Sequence, residues 1–128
     1  MRLLPDTHLL LWASGRPEAL SPAARALLDD PANTLVFSVV SIWEMAIKSN
    51  LPRGRFEVDV AMLRRDLIDS GYAELPVTAP HAIEAGTLPL LHRDPFDRLL
   101  VAQARVEGLL LLTADRQVAA YPGPIRLI

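Results

Sequence analysis

The sequence contains no cysteine, which excludes both a disulfide framework and a thiolate metal site. It also lacks any apolar run near the ~20 residues that a membrane-spanning helix needs, and its N-terminus lacks the basic and apolar regions of a signal peptide. We therefore expect a cytoplasmic protein without a membrane partner. The chain also lacks a large excess of positive or negative charge, since its net charge is −2. Any nucleic-acid binding must then depend on local basic residues or on metal ions.

The size and composition of the chain indicate one globular domain over residues 1–128. Hydrophobic residues make up 51% of the chain, and a chain this small has limited interior in which to bury them. We therefore expect a homodimer, with a second copy covering an apolar face. Candidates for that face are Trp12, Trp43 and an amphipathic helix over 60–68.

Short apolar or β-branched segments alternate with helical segments along the chain. The predicted strands cover residues 2–5, 34–37, 72–77, 109–113 and 125–128. Helices are expected to begin at or next to Thr7, Pro22, Ser38, Asp59, Pro80 and Pro95, and a basic loop is expected at 50–57. This alternation predicts an α/β fold with a parallel sheet covered by helices on both faces.

The segment from His92 to Ala104, HRDPFDRLLVAQA, carries an acid on a largely apolar helix. Asp94 before Pro95 marks the start of this helix, because an acid caps free amides and proline fits the first turn. Asp97 lies in that first turn, where the helix dipole favours negative charge. An unpaired buried carboxylate is costly or takes up a proton, so Asp97 requires a partner from elsewhere in the chain.

Three further acids are predicted to lie at one edge of the sheet. Asp6 and Asp115 directly follow strands and Glu44 lies near a helix start, positions that parallel sheets bring to their C-terminal edge. Asp97 joins them if the loop before its helix returns to that edge. Four such acids would not all stay ionised unless cations were present. Mg²⁺ or Mn²⁺, which prefer carboxylate and water ligands, would resolve the repulsion.

Each of these acids also has a structural interpretation. Asp6 can be simply the N-cap of the helix that follows it. Glu44 can belong to a capping box with Ser41, or to an i,i+4 ion pair with Lys48. These alternatives stay open for each residue alone, and it is the four acids taken together that favour a metal site.

Several other polar side chains are secondary candidates. His8 and His92 leave open acid–base catalysis without metal, although a lone histidine is more often structural. Arg98 and Lys48 lie one helical step from Asp97 and Glu44, where they could contact phosphates or form salt bridges. Thr113 could hold a metal-bound water.

Four motifs in order make the chain resemble the PIN-domain ribonucleases of the VapC toxin type. They are DTHLLLW from Asp6, SVVSIWEMAIK from Ser38, HRDPFDRLLVAQA from His92, and LLTAD ending at Asp115. One such motif alone is weak, whereas four in the family's order and spacing are specific. Pro5 is a departure, because the family usually has an apolar residue there that can join the sheet.

The resemblance implies a three-layer α/β/α fold with a central parallel sheet. It further implies a metal-dependent endoribonuclease, with Asp6, Glu44, Asp97 and Asp115 as ligands and RNA as substrate. Asp94 is kept mainly as the helix cap. Such toxins of type II toxin–antitoxin pairs are commonly homodimers, inhibited by an antitoxin segment in the active-site groove. The alternatives are a metal-dependent DNA nuclease or phosphatase using the same acids, and a catalytically silent antitoxin-binding module.

Overall fold

The computed structural model describes residues 1–50 and 58–128. The basic loop expected at 50–57 therefore falls almost wholly outside the described residues. The strands are β1 (Arg2–Pro5), β2 (Thr34–Ser38), β3 (Ala73–Leu75), β4 (Leu110–Thr113) and β5 (Ile125–Leu127). They form one sheet in the order β3-β2-β1-β4-β5, and each neighbouring pair is parallel. This confirms the predicted α/β fold with a central parallel sheet.

Helices connect successive strands and cover the sheet. They are α1 (Thr7–Gly15), α2 (Pro22–Asp29), α3 (Val39–Ser49), α4 (Val60–Asp69), α5 (Ala79–Thr87), α6 (Pro95–Glu107) and α7 (Arg116–Ala119), with a 3₁₀ turn at Pro17–Ala19. Within the described ranges, none of the helices combines the length and the apolarity needed to cross a membrane.

Most helices begin where a short polar side chain caps them, as the sequence predicts. The capping side chains, each of which accepts a hydrogen bond from a first-turn amide, are Asp6, Ser21, Ser38, Asp59, Asp94 and Asp115. At the other end of α6, Gly108 adopts a φ of 67°, which glycine tolerates without a Cβ clash. These local signals fix where the chain turns from strand into helix.

The central strands are buried on both faces, which gives the molecule its three layers. Successive residues of a strand point to opposite faces, and β1 follows this rule. Leu4 packs with Leu111 and α6 on one face, while Leu3 packs with Leu112 and α2 on the other. A third cluster beside α3 and α4 is centred on Phe37. The strand predicted at 109–113 is therefore confirmed at Leu110–Thr113, and it is covered on both sides.

Two sequence predictions need correction. The third strand covers only Ala73–Leu75 instead of 72–77, because Pro76 has no amide to donate and Val77 is exposed. The amphipathic pattern over 60–68 places Ile68 on the same face as Leu63 and Leu67, yet Ile68 is 42% exposed while the two leucines are buried.

Pro5 fits at the end of a central strand without breaking the sheet. Pairing of β1 with β2 covers Arg2 and Leu3, whereas pairing with β4 continues to Pro5. The next amide, that of Asp6, donates to the carbonyl of Leu112 at 2.9 Å. The backbone that carries Asp6 is thus held on the β4 side, where proline costs no hydrogen bond.

Candidate active site

Asp6 lies at the C-terminal edge of the sheet with both carboxylate oxygens hydrogen-bonded. Oδ1 accepts from the Leu9 amide at 3.0 Å, as the cap of α1, and Oδ2 accepts from the Thr113 hydroxyl at 2.7 Å. The side chain is almost fully buried. Burial raises its pKa, and this effect outweighs the hydrogen bonds from Leu9 and Thr113 that act in the opposite direction.

Glu44 is a buried acid whose two oxygens are both engaged. Its Oε1 accepts from the Thr7 hydroxyl at 2.6 Å, and its Oε2 lies 2.5 Å from the Lys48 ammonium. Thr7 also lies 2.9 Å from the Ser41 hydroxyl, so α1 and α3 are joined by side chains at this point. Because α3 begins at Val39, the capping-box interpretation of Glu44 is wrong, whereas the i,i+4 pair with Lys48 is confirmed.

The start of α6 brings Asp94, Asp97 and His92 into one group. Asp94 caps the helix by accepting from the amides of Phe96 and Asp97. His92 Nε2 lies 3.0 Å from Asp97 Oδ2. One ligand atom from each of the three lies within 4.8 Å of the other two. Among the residues that the structure describes, this group has ligand atoms close enough together to hold one ion, and Asp97 is the one predicted ligand that it contains.

Three other acids are near enough to Asp97 for their charges to affect its pKa. Burial, followed by the charges of Asp94, Glu44 and Asp6, raises the pKa of Asp97 from 3.8 to about 7, although His92 acts in the opposite direction. Like charges disfavour further ionisation. Asp97 is therefore partly protonated near neutral pH unless a cation is present.

Asp115 lies at the same sheet edge but is more exposed than the other three predicted ligands. Its Oδ1 caps α7 by accepting from the Gln117 amide at 2.8 Å. Its own amide donates to the Thr113 hydroxyl, which in turn donates to Asp6. Thr113 thus ties Asp115 to Asp6, and its proposed contact with a metal-bound water stays a prediction. Whether the Asp115 carboxylate is a ligand stays a prediction.

The secondary candidates Lys48, Arg98 and His8 differ in what they contact. Lys48 forms salt bridges with Glu44 and Asp94. Arg98 donates to the main-chain carbonyls of Ala85 and Pro89, so it anchors the segment before α6. His8 is exposed, and its ring lies 6.0 Å from that of Trp12.

Some contacts at this site were not expected from the sequence. The Thr7 hydroxyl donates a hydrogen bond to Glu44. Thr7 is the threonine of the DTH motif, but the motif alone does not indicate that this side chain contacts Glu44. The Tyr121 hydroxyl bonds both the amide and the carbonyl of His92, which fixes the loop that carries this histidine. No pattern in the sequence links Tyr121 to His92, because the two are brought together only by the fold.

The residues present fit a divalent metal ion. Burial raises the pKa of Asp97, and the charges of three other carboxylates raise it further. Carboxylate oxygens are the ligands that Mg²⁺ and Mn²⁺ prefer. A divalent ion would relieve the repulsion that otherwise keeps a proton on Asp97.

Comparison with known protein families is consistent with this geometry. The sequence model of the PIN-domain family matches residues 3–124. The chain belongs to the PIN-domain family. A relative, ribonuclease VapC22 of Mycobacterium tuberculosis, is 29% identical over 123 residues, which covers 95% of this PIN domain and 93% of the relative. The resemblance that the four motifs indicated is thereby confirmed.

Solved structures share the fold of this PIN domain at low sequence identity. A chain of VapBC2 from Rickettsia felis, bound to a promoter DNA fragment, matches with a TM-score of 0.73 and 16% identity over 100% of this chain and 99% of that one. A toxin–antitoxin complex from Klebsiella pneumoniae matches with a TM-score of 0.63 and 20% identity, covering 97% and 95% of the two chains. These similarities establish the fold.

Proposed function

We propose that this PIN domain is a metal-dependent endoribonuclease and the toxin of a type II toxin–antitoxin pair, acting in the cytoplasm. The observation that carries the proposal is the acidic group at the start of α6, where ligand atoms of His92, Asp94 and Asp97 lie within 4.8 Å of one another. Burial, followed by the charges of Asp94, Glu44 and Asp6, raises the pKa of Asp97 there to about 7. The ribonuclease named as its relative supports RNA as the substrate. The matching chains in toxin–antitoxin complexes support the pairing with an antitoxin.

The proposed metal ligands are the carboxylates of Asp6, Glu44, Asp97 and Asp115. A bound Mg²⁺ or Mn²⁺ would offset the charge that develops on the scissile phosphate and lower the pKa of the attacking water. Asp94 and His92 lie close enough to Asp97 to complete or orient this set.

The chain's own residues position the acids and handle the proton. Thr113 and the Leu9 amide fix both oxygens of Asp6, and Thr7 fixes one oxygen of Glu44. A carboxylate oxygen that the metal leaves unbound would position the attacking water or accept its proton. Such fixed carboxylates need little reorganisation during phosphodiester cleavage.

The first test compares RNA with DNA. We expect the purified protein to cleave labelled single-stranded RNA in Mg²⁺ or Mn²⁺, to lose this activity in chelator, and to leave duplex DNA intact. Gel analysis of time courses provides the measurement. Equal cleavage of duplex DNA, or release of phosphate from monoesters without RNA cleavage, would instead favour the alternative substrate classes. Retained cleavage in excess chelator would rule out the metal dependence.

The proposed partner is a cognate antitoxin encoded beside this chain. A short upstream reading frame for a small DNA-binding protein with a disordered tail is the expected form of that gene. An antitoxin bound over the proposed metal ligands would block access of RNA to them. If the protein bound such a partner but never cleaved RNA, it would be a catalytically silent module.

We also propose that the protein is a homodimer, because large apolar side chains remain on its surface. Trp43 is 57% exposed, and Met62 on α4 is 55% exposed, whereas Trp12 is partly buried against the core. We expect a dimer mass by light scattering at tens of micromolar. Trp43→Ser should shift the mass toward the monomer if the α3 face forms the contact. A monomeric wild-type protein at that concentration would contradict the proposal.

A further inference from the structure

The chain has one lysine, Lys48, and that residue lies inside the candidate site. Its Nζ is 2.5 Å from Glu44 Oε2 and 3.7 Å from Asp94 Oδ2, and its side chain is only 18% exposed. The carboxylates of Glu44 and Asp94 at these distances favour the charged form of the lysine.

An aromatic ring also lies beside this ammonium group. Lys48 Nζ lies 5.6 Å from the centroid of the Phe96 ring, within the range of a cation–π contact. Phe96 is itself packed edge-on against Trp43, with ring centroids 5.1 Å apart. Two helices thus build the place that Lys48 occupies, since Trp43 and Glu44 come from α3 and Asp94 and Phe96 from the start of α6.

Both oxygens of Glu44 are already used in this arrangement. The Thr7 hydroxyl holds Oε1 and Lys48 holds Oε2. Glu44 Oε1 can accept a hydrogen bond from the neutral Thr7 hydroxyl and still bind a metal ion. An ammonium group within a few ångströms of a divalent cation, by contrast, is strongly repelled. The lysine stem is long and flexible, so the ammonium can swing away while the backbone of α3 stays in place.

We propose that Lys48 is an internal counter-cation of the acidic site, which must leave Glu44 before that carboxylate can act as a metal ligand. Lys48 then stabilises the metal-free protein and weakens its metal affinity. The two effects are linked, because whatever free energy the lysine contributes to the metal-free state must be given up when metal binds. The inference rests on the proposed metal site and not on the identity of the substrate.

Calorimetric titration of Lys48→Met with Mg²⁺ and with Mn²⁺ tests the proposal. Removing a unit charge this close to the site is expected to lower the dissociation constant about fivefold or more. Lys48→Arg keeps the charge and should not tighten binding. Arg64→Met is the matched control, because Arg64 Nε lies 2.5 Å from Glu74 Oε2 in an exposed pair outside the site. Its dissociation constant should stay within about twofold of the wild-type value.

A second measurement needs no variant. Because the chain has a single lysine, protein labelled with ¹³C-lysine should give one set of side-chain NMR signals. We expect the Cε signal of Lys48 to shift as Mg²⁺ is added and to saturate with the calorimetric dissociation constant. An unmoved signal at saturating Mg²⁺ would overturn the proposal even if Lys48→Met failed to fold.

The remaining outcomes separate this inference from the proposed function. If wild-type protein binds metal and Lys48→Met binds it equally or more weakly, Lys48 is not a competing cation and the metal site stands. If neither protein binds Mg²⁺ or Mn²⁺, the metal site itself is wrong and the inference fails with it.

Discussion

Asp97→Asn is expected to lower the rate of metal-dependent RNA cleavage by about 100-fold or more while the protein stays folded. The carboxylate of Asp97 is the point on which the other acids converge, and an amide supplies neither its charge nor its proton affinity. The fold should survive, because Asp97 has a pKa of about 7 and is already partly neutral in the metal-free protein. The asparagine oxygen can also keep the contact with His92 Nε2.

The matched control for this substitution is Asp59→Asn. Asp59 is also an acid at the start of a helix, where it accepts from the Met62 amide, but it is exposed and lies at α4. Asparagine caps helices about as well as aspartate, so cleavage and melting temperature should both stay close to wild type. Cleavage rates on the same labelled RNA, with circular dichroism melts of each variant, provide the comparison. A folded Asp97→Asn protein that cleaves at a near-normal rate would remove Asp97 from the catalytic site.

The element order could be predicted because its signals are local. Capping side chains such as Ser38 and Asp94 act on amides within their own turn, so the sequence reveals them before any packing is known. The end of β3 also has a local signal, because Pro76 has no amide to donate, but the apolar pattern continues to Val77 and predicts a longer strand. Pairing with β2 stops at Leu75.

The candidate site was predictable to the extent that topology decides it. Asp6 and Asp115 follow the adjacent parallel strands β1 and β4, so the order of the sheet alone brings them to one edge. The convergence of Asp94 and Glu44 on Asp97 required the packing of α6 against α3, which the sequence left conditional. Their assignment as metal ligands stays a prediction.

Buried polar contacts between helices were beyond sequence reasoning. Gln103, in the middle of an apolar helix, accepts a hydrogen bond from the Ser38 hydroxyl and lies 3.3 Å from the carbonyl of Pro76. His81 is fully buried and bonds Glu107 at 2.8 Å. The pair of Lys48 with Glu44 lies within α3 and was predictable, but the contact of Lys48 with Asp94 was not. The contacts that the sequence did not reveal join elements whose approach is set by the tertiary fold.

The metal-free protein is expected to lose stability as the pH rises. Burial and the neighbouring acids raise the pKa of Asp97 from 3.8 to about 7 in the folded state, so between these values the folded protein binds the extra proton. The contribution to stability is therefore complete below the lower value and is lost as the pH climbs through the higher one. From pH 6 to pH 8 the loss amounts to about 1 kcal/mol. Chemical denaturation in chelator at both pH values measures it.

Asp97→Asn isolates this effect from the other groups that titrate in the same range, His92 among them. The variant has no carboxylate at position 97, so its free energy of unfolding should fall less between pH 6 and pH 8 than that of the wild type. At pH 8 in chelator it should also be the more stable of the two, because a repelling charge has gone. An identical pH dependence in both proteins would contradict the convergence of the acids on Asp97.

Millimolar Mn²⁺ should reverse the loss at pH 8, because the ion binds the folded cluster and not the unfolded chain. At about 100 times its dissociation constant the gain is about 2.7 kcal/mol, which for a chain of this size raises the melting temperature by several degrees.

Asp6→Asn and Asp115→Asn should each reduce that rise. Asp115 is the more informative of the two, since its carboxylate is exposed and already caps α7. A full Mn²⁺ shift in Asp115→Asn would limit the ligand set to Asp6, Glu44 and Asp97, and an unshifted wild type would mean that the acids do not form one metal site.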